Sequence, residues 1–159
     1  MGCLYNAGEV VRPAILLNDT RSAGAARALV SEYGGPSQWA SAIGSVPVAS
    51  FTVTKLRWLA EHEPTVFGRV AKVLLPKDYV RFLLTGEFVT DMSDASGTMW
   101  LDVEKRCWSD AVLTLTGLTQ AHMPRLVEGS EAGGLRSAEG AKTLGWQGGS
   151  PGGGGGGVR

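Results

Sequence analysis

Apolar residues occur along the chain in short runs and in helical periods that alternate with each other. The apolar run at residues 14–17 ends at the turn formers Asn18 and Asp19, and it predicts a buried strand. Similar runs predict strands at residues 72–75, 88–90 and 97–103. In the last strand, one side would carry Thr98, Trp100 and Asp102, and the other side Met99, Leu101 and Val103.

Between these strands the apolar positions repeat at helical spacing. Ser22 is a candidate N-cap for a helix that stops at Gly34 and Gly35, and Gly44 closes a second short helix. A third helix covers residues 52–62, and Pro64 ends it or opens another. A fourth runs from Pro76 to Gly86, and a last one covers residues 108–115 with Ser109 near its N-terminus. The inward faces predicted for the third and fourth helices are Val53, Leu56, Leu59 and Ala60, and Tyr79, Val80, Leu83 and Leu84.

Strands that alternate with helices in this way predict an α/β domain over residues 1–147. The pattern fades after about residue 130, and eight of the last twelve residues are glycine. Such a segment cannot bury enough apolar surface to offset its ordering entropy, so residues 148–159 are predicted to form a disordered tail. No helix follows these glycines, so they do not match a phosphate-binding loop.

The composition is that of an ordinary soluble protein, with 43% apolar and 19% charged residues among 159. Fifteen basic residues balance fifteen acidic ones, which argues against a nucleic-acid partner. Cys3 and Cys107 lie far apart, and His62 and His122 have no partners at ligand spacing, so neither a disulfide nor a metal site is expected. No signal peptide and no apolar stretch long enough to span a membrane is recognised, and a cytoplasmic location is expected.

Six polar residues lie close to apolar segments between residues 75 and 102, and this set permits two interpretations. Its members are Lys77, Asp78, Asp91, Ser93, Asp94 and Ser96. In the structural interpretation, Asp78 complements a helix dipole, Lys77 lies on the surface and Ser93 caps a helical turn. In the catalytic interpretation, Asp91 or Asp94 is a general base, which must come within hydrogen-bond distance of a hydroxyl.

Four ordered segments resemble the FGGY carbohydrate kinase family and, within it, the first domain of the xylulose kinases. In chain order they are RPAILLNDTRS, SFTVTKLRWLAEH, LLPKDYVRFLLTGEFVTDMSDASGTMWLDVEKRCWS and GLTQAHMPRLVEGSEAGGL. The second segment fits the family's first signature through Thr52, Lys55, Trp58 and the pair Glu61-His62. The resemblance covers about residues 8–135.

This resemblance implies part of a two-domain kinase whose halves have an RNase-H-like, actin-type ATPase fold. Phosphate would move from ATP, with Mg²⁺ bound to the nucleotide, to a hydroxyl of a small-molecule sugar. In such transfers the protein mainly positions the reactants and stabilises charge. The family's catalytic Asp would accept the hydroxyl proton. The close resemblance of residues 75–102 to the xylulose kinases favours D-xylulose as the sugar.

The chain departs from the family pattern in the segments that bind phosphate and sugar and that carry the catalytic Asp. The family's Asp-Gly-Thr phosphate hairpin and Met-His-Gly sugar segment have no counterpart, and Leu17 replaces the usual Trp. The glycine run at 152–157 is followed by Val158 and Arg159 where Asp-Asn is expected. The resemblance therefore implies a truncated kinase whose catalytic Asp lies beyond the C-terminus. This truncated kinase is expected to be inactive and to bind neither ATP nor Mg²⁺ well.

By the same resemblance, Asp91 and Asp94 are structural, and candidate sugar contacts fall on three other residues. Asp19 and Arg21 match the family motif and order a loop at the sugar cleft, or form a purely structural ion pair. Ser50 stands where some relatives have a sugar-contacting side chain. The alternatives are a non-catalytic remnant or interaction module that self-associates through exposed core faces, and a kinase for gluconate, ribulose or glycerol.

Overall fold

A computed structural model of the chain describes residues 3–6, 9–135 and 151–153. Its helices are α1 (Ala23–Glu32), α2 (Pro36–Ile43), α3 (Thr52–His62), α4 (Pro64–Phe67), α5 (Pro76–Thr85), α6 (Met92–Ser96), α7 (Asp110–Leu115) and a 3₁₀ turn, Gln120–His122. Its strands are β1 (Cys3–Asn6), β2 (Glu9–Val10), β3 (Lys72–Leu74), β4 (Val89–Asp91), β5 (Leu101–Asp102), β6 (Cys107–Trp108), β7 (Arg125–Val127), β8 (Ala132–Leu135) and β9 (Pro151–Gly153).

The strands form several small sheets. β1 lies between β2 and β3 and runs antiparallel to both. β4 and β7 are parallel, with Thr90 opposite Leu126, and the connection between them carries α6, the β5–β6 pair and α7. β5 pairs with β6, and β8 with β9, in the antiparallel direction. Parallel strands need a long crossover connection, and the segment between β4 and β7 makes this crossover over the core.

The core lies between the N-terminal helices and the segment around residues 95–118. Its largest fully buried side chains include Trp39 and Trp100. The Trp39 indole N–H donates to the Leu29 carbonyl at 3.1 Å, and the Trp100 indole N–H donates to the Thr116 hydroxyl at 2.9 Å. Both indoles therefore bury their area without leaving a polar group unsatisfied.

Helix boundaries follow the proline and glycine signals of the sequence. α2 begins at Pro36 and ends at Gly44, which has a φ of +87°. α5 begins at Pro76 and ends at Gly86, with a φ of +76°. Proline loses nothing at a first helical position, and glycine adopts the left-handed C-cap without strain. The predicted helices in these regions, and those at 52–62 and after Ser109, are confirmed.

The strand predicted at residues 14–17 is wrong. Ile15 is buried, but Leu16 and Leu17 are 57% and 64% exposed. The chain turns here, with the Asp19 N–H donating to the Leu16 carbonyl at 3.1 Å. A run of four apolar residues does not make a strand unless a neighbouring strand satisfies its backbone, and this segment lies in a loop instead.

The inward face predicted for α5 is also wrong. Val80 and Leu83 are 55% and 54% exposed, whereas Asp78, Arg81 and Thr85 are buried. The Arg81 guanidinium donates to the Val89 carbonyl at 3.0 Å, so the polar face of α5 is turned towards β4. A buried polar face is stable when its groups are hydrogen-bonded, and α5 meets that condition through partners that its own sequence does not reveal.

The predicted strand at 97–103 is shorter than expected. It is limited to β5, Leu101–Asp102, and residues 97–99 form a turn in which Met99 has a φ of +71°. Both alternating faces are buried over residues 98–102, so this segment crosses the core instead of lining it.

The predicted disordered tail, residues 148–159, lies outside the described residues except for Pro151–Gly153. These three residues depart from the prediction and form β9 against β8. Among the described helices, α3 is the longest with 11 residues, well short of the roughly 20 needed to cross a bilayer.

Candidate functional site

Residues 16–21, here called the 16–21 loop, carry two of the predicted site residues. The Arg21 guanidinium forms an ion pair with Asp19, with Nη2 2.8 Å from Oδ2 and Nε 2.9 Å from the same oxygen. The Arg21 backbone N–H donates to Asp19 Oδ1 at 3.0 Å. These hydrogen bonds hold the pKa of the Asp19 carboxyl below its ordinary value.

Helix α3 contacts this loop through two residues that are three positions apart in the helix. The ammonium of Lys55, which is 2% exposed, donates to the main-chain carbonyl of Asp19. The Arg21 guanidinium carbon lies 4.9 Å from the centroid of the Trp58 ring, a cation–π distance. The Trp58 ring also stacks on His62, with 4.7 Å between centroids. Residues three apart share a helix face, so Lys55 and Trp58 support the loop together.

The third predicted site residue, Ser50, lies in the turn before α3 and is partly exposed. This turn is tied to the end of the 16–21 loop through its neighbour Ala49, whose carbonyl accepts hydrogen bonds from Ser22 at 2.9 Å and from Thr54 at 3.2 Å. Within the described residues, no hydrogen bond joins Ser50 to Asp19 or Arg21. The three predicted residues therefore lie on adjoining segments, with only Asp19 and Arg21 in direct contact.

A surface cavity of ≈ 440 Å³ opens beside the ion pair, and Arg12, Asn18, Asp19 and Arg21 are among the residues that line it. Arg12 is fixed by Glu63 at the end of α3, through bonds of 3.0 and 3.2 Å. The volume falls in the range of small-molecule sites. Larger cavities, of ≈ 600 Å³ near β7 and ≈ 560 Å³ beside α1, contain none of the predicted site residues.

A second charged cluster joins α5 to β4 and α6. Lys77 Nζ lies 2.6 Å from Asp78 Oδ1, 2.7 Å from Asp91 Oδ2 and 3.3 Å from Asp94 Oδ2. Asp78 and Asp91 are buried, and the Lys77 side chain is 29% exposed. The prediction that Lys77 is a surface residue is wrong, because the buried carboxylates of Asp78 and Asp91 hold its ammonium. Asp91, not Ser93, caps α6, since its Oδ1 accepts from the Asp94 N–H at 3.0 Å.

The cluster leaves Asp91 unsuited to act as a base on a bound hydroxyl. Burial raises the pKa of Asp91, but hydrogen bonds from Lys77 and the Asp94 amide outweigh it and leave that pKa below its ordinary value. Burial raises the pKa of Asp78 beyond what Lys77 offsets. Burial also opposes the charge on Lys77, yet its bonds to both carboxylates raise its pKa. Lys77, together with Arg81 at 3.6 Å from Asp78, thus offsets part of the carboxylate charge, as in a structural ion cluster.

Neither Cys107 nor His62 lines the cavity beside the 16–21 loop. Cys107 is a free, exposed thiol. His62 is exposed, and its Nδ1 lies 3.0 Å from the Trp58 carbonyl. Over the described residues, no group of three His, Cys, Asp or Glu side chains is arranged to hold a metal ion.

Chemically, the cavity beside the 16–21 loop presents guanidinium and amide donors together with carboxylate and amide acceptors. This mixture suits a polyhydroxyl ligand. Sequence reasoning missed the tether from Lys55, the ring of Trp58 beneath Arg21 and the central position of Lys77. The available signal was a lysine within a stretch of α3 that is otherwise apolar or hydroxyl-bearing.

The chain resembles known proteins along most of its length. The model of the FGGY family of carbohydrate kinases, N-terminal domain, matches residues 4–157. Xylulose kinase of Escherichia coli (strain K12) is 48% identical over 137 residues, which are 86% of this chain and 28% of that enzyme. Xylulose kinase of Streptomyces coelicolor is 48% identical over 134 residues, 84% of this chain and 28% of that enzyme.

Solved structures agree with these matches. The crystal structure of a xyloylose kinase from Brucella ovis superposes with a TM-score of 0.87 and 44% identity, over 96% of this chain and 31% of that one. The chain thus spans less than a third of the length of these relatives. The predicted α/β class is confirmed, as part of the actin-like fold of the sugar kinases. This chain belongs to the FGGY family of carbohydrate kinases, and residues 4–157 match its N-terminal domain.

Proposed function

We propose that this chain is the sugar-side part of a kinase that phosphorylates D-xylulose to xylulose 5-phosphate with ATP. The observation that carries the proposal is the 48% identity to xylulose kinases over 137 and 134 residues in two distant bacteria. The polar cavity of ≈ 440 Å³ beside the 16–21 loop supports it, since it is large enough for a pentose and offers several donors and acceptors.

Within this function, Asp19, Arg21 and Ser50 contact or order the sugar. The Arg21 side chain is 43% exposed while ion-paired to Asp19, so its remaining donors are available to hydroxyl oxygens. Ser50 offers a hydroxyl from the turn joined to the same loop through Ala49. These are binding and positioning roles, which is the main contribution a protein makes to phosphoryl transfer.

The remaining chemistry comes from groups other than the described residues. Asp78, Asp91 and Asp19 are not assigned as the base, because Asp91 and Asp78 are buried against Lys77 and Asp19 is paired with Arg21. ATP and its Mg²⁺ belong to the family's reaction, and among the described residues no three His, Cys, Asp or Glu side chains are grouped to hold a metal ion. A cytoplasmic location follows from the use of ATP and is part of the same proposal.

The sugar assignment is tested by exchange of segments. In the E. coli xylulose kinase, the 137 matching residues are replaced by those of this chain, and ADP formation is followed with D-xylulose, D-ribulose, D-gluconate and glycerol. Because the rest of the enzyme is unchanged, any change of preference originates in this segment. We expect kcat/KM for D-xylulose to exceed the others by about tenfold or more. A folded chimera that prefers another of these substrates would overturn the assignment.

The 159-residue chain tested alone is expected to form no ADP above a protein-free blank, since phosphoryl transfer requires the nucleotide and the sugar to be positioned together. Measurable turnover would contradict this.

The second candidate, an interaction module that self-associates, is favoured by the exposed apolar side chains of Leu16, Leu17, Val80 and Leu83. Sedimentation as a monomer at all accessible concentrations would exclude it.

A further inference from the structure

We propose that Lys55 is a positioning residue, which holds the main chain of the 16–21 loop so that Asp19 and Arg21 line the cavity. Its Nζ donates to the Asp19 carbonyl from inside the core, and Lys55 itself is not among the residues that line the cavity. The catalytic consequence rests on the proposed function, whereas the effect on the loop does not.

The surroundings of Lys55 make a purely packing role costly. The residue is 2% exposed, and no carboxylate oxygen of the described residues forms an ion pair with its ammonium. Burial lowers the pKa of Lys55, with the Asp19 charge opposing that effect. A methionine or leucine would fill the same space without a desolvation penalty. The ammonium is therefore explained by what it binds, the Asp19 carbonyl.

The position of the Asp19 carbonyl determines the position of the rest of the loop. The Asp19 carboxylate binds the Arg21 backbone N–H and guanidinium, so Asp19 and Arg21 form a local unit that moves as one. This unit is held to α3 by the ammonium of Lys55 at its main chain and by the Trp58 ring beneath Arg21. Without the ammonium, the ring contact and the Ser22–Ala49 hydrogen bond at the end of the loop remain, but the main chain of Asp19 loses its own link to α3.

Lys72 provides a matched control for the same substitution. Its ammonium also donates to main-chain carbonyls, those of Ala121 at 2.6 Å and Met123 at 3.3 Å. Burial lowers the pKa of Lys72 as it does that of Lys55. Lys72 lies in β3, outside the cavity beside the 16–21 loop.

The first test measures amide hydrogen exchange by NMR in the 159-residue chain. The reporters are the Asp19 amide, bonded to the Leu16 carbonyl, and the Arg21 amide, bonded to the Asp19 carboxylate. In Lys55→Met we expect their protection to fall about tenfold, while core amides of α3 change little. Lys72→Met should leave both reporters unchanged. If Lys55→Met does not fold, Lys55→Gln, compared with Lys72→Gln, decides in the same way.

The second test uses the chimeric E. coli enzyme described above. Lys55→Met is expected to raise KM for D-xylulose about tenfold with kcat changed less than about threefold, because a displaced loop weakens sugar binding. A folded chimera that uses another of the sugars but not D-xylulose refutes the proposed function and leaves the exchange result valid. Unchanged exchange at both reporter amides in a folded Lys55 variant refutes the positioning role, whatever the sugar. Unchanged KM in an active chimera does so too.

Discussion

Replacing Lys77 with methionine should destabilise the protein through the two carboxylates that it leaves behind. Asp91 and Asp78 are 0% and 1% exposed, and both accept hydrogen bonds from the Lys77 ammonium, at 2.7 and 2.6 Å. Methionine fills a similar volume but supplies no donor. The variant therefore tests the charge and not the packing.

The magnitude follows from the burial of these partners. Breaking a buried ion pair from one side costs about 3–5 kcal/mol. Lys77 itself is 29% exposed, and Arg81 Nη1 remains 3.6 Å from Asp78, so the lower end of that range applies. A loss of about 3 kcal/mol in a chain of this size corresponds to a fall in Tm of roughly 6–12 °C.

The assay is urea unfolding followed by circular dichroism, with thermal unfolding as a second readout. Lys105→Met is the matched control, because Lys105 Nζ lies 2.7 Å from Asp102 Oδ2, the same distance as in the Lys77–Asp91 pair, but its side chain is 75% exposed. Lys105 is largely exposed, and Asp102 keeps the Lys105 backbone N–H as a donor at 2.9 Å, so Lys105→Met should change the urea midpoint far less than Lys77→Met. Equal losses in the two variants, or a loss below about 1 kcal/mol for Lys77→Met, would refute the argument that burial sets the size of the effect.

Two further predictions concern acid stability and a helix cap. The pKa of Asp91 is below its ordinary value, because its hydrogen bonds outweigh the effect of burial; its stabilising effect is therefore complete above about pH 4 and lost as pH falls through the folded pKa. The advantage of wild type over Asp91→Asn in urea unfolding should be full at about pH 6 and shrink below about pH 4, and a constant advantage would contradict this. Gly44→Ala should cost more stability than Gly86→Ala, by about 1 kcal/mol, because a Cβ on Gly44 would lie 2.9 Å from Val103 Cγ2 while one on Gly86 meets nothing within 4 Å. Adding Val103→Ala should remove that excess in thermal unfolding, and an excess that persists would show that the contact is not its cause.

Local chemistry explains why parts of the fold and of the site were predictable. Pro36, Gly44, Pro76 and Gly86 mark helix ends through the conformations that they permit, and the observed helices begin and end at these residues or one residue inside them. Asp19 and Arg21 are two residues apart, so their ion pair could be predicted from the sequence. The family segments, likewise, are read directly from residue order and led to the confirmed membership.

The partners of Lys55 and Lys77 could not be predicted in this way. Lys55 binds a carbonyl 36 residues earlier in the chain, and Lys77 binds a carboxylate 14 residues later. An amphipathic pattern indicates that a helix has two faces, but it does not say which one is covered. For α5 the polar face is covered, because Arg81 finds an acceptor in the carbonyl of Val89.

The sequence by itself determined the helix boundaries, the α/β class, the family and the local Asp19–Arg21 pair, since each depends on residues close together in the chain or on their order. The tertiary structure decided the buried face of α5, the loss of the strand at 14–17, and the anchoring of the 16–21 loop by Lys55 and Trp58. The physical reason is that burial and the satisfaction of a buried charge depend on which distant segment supplies the partner.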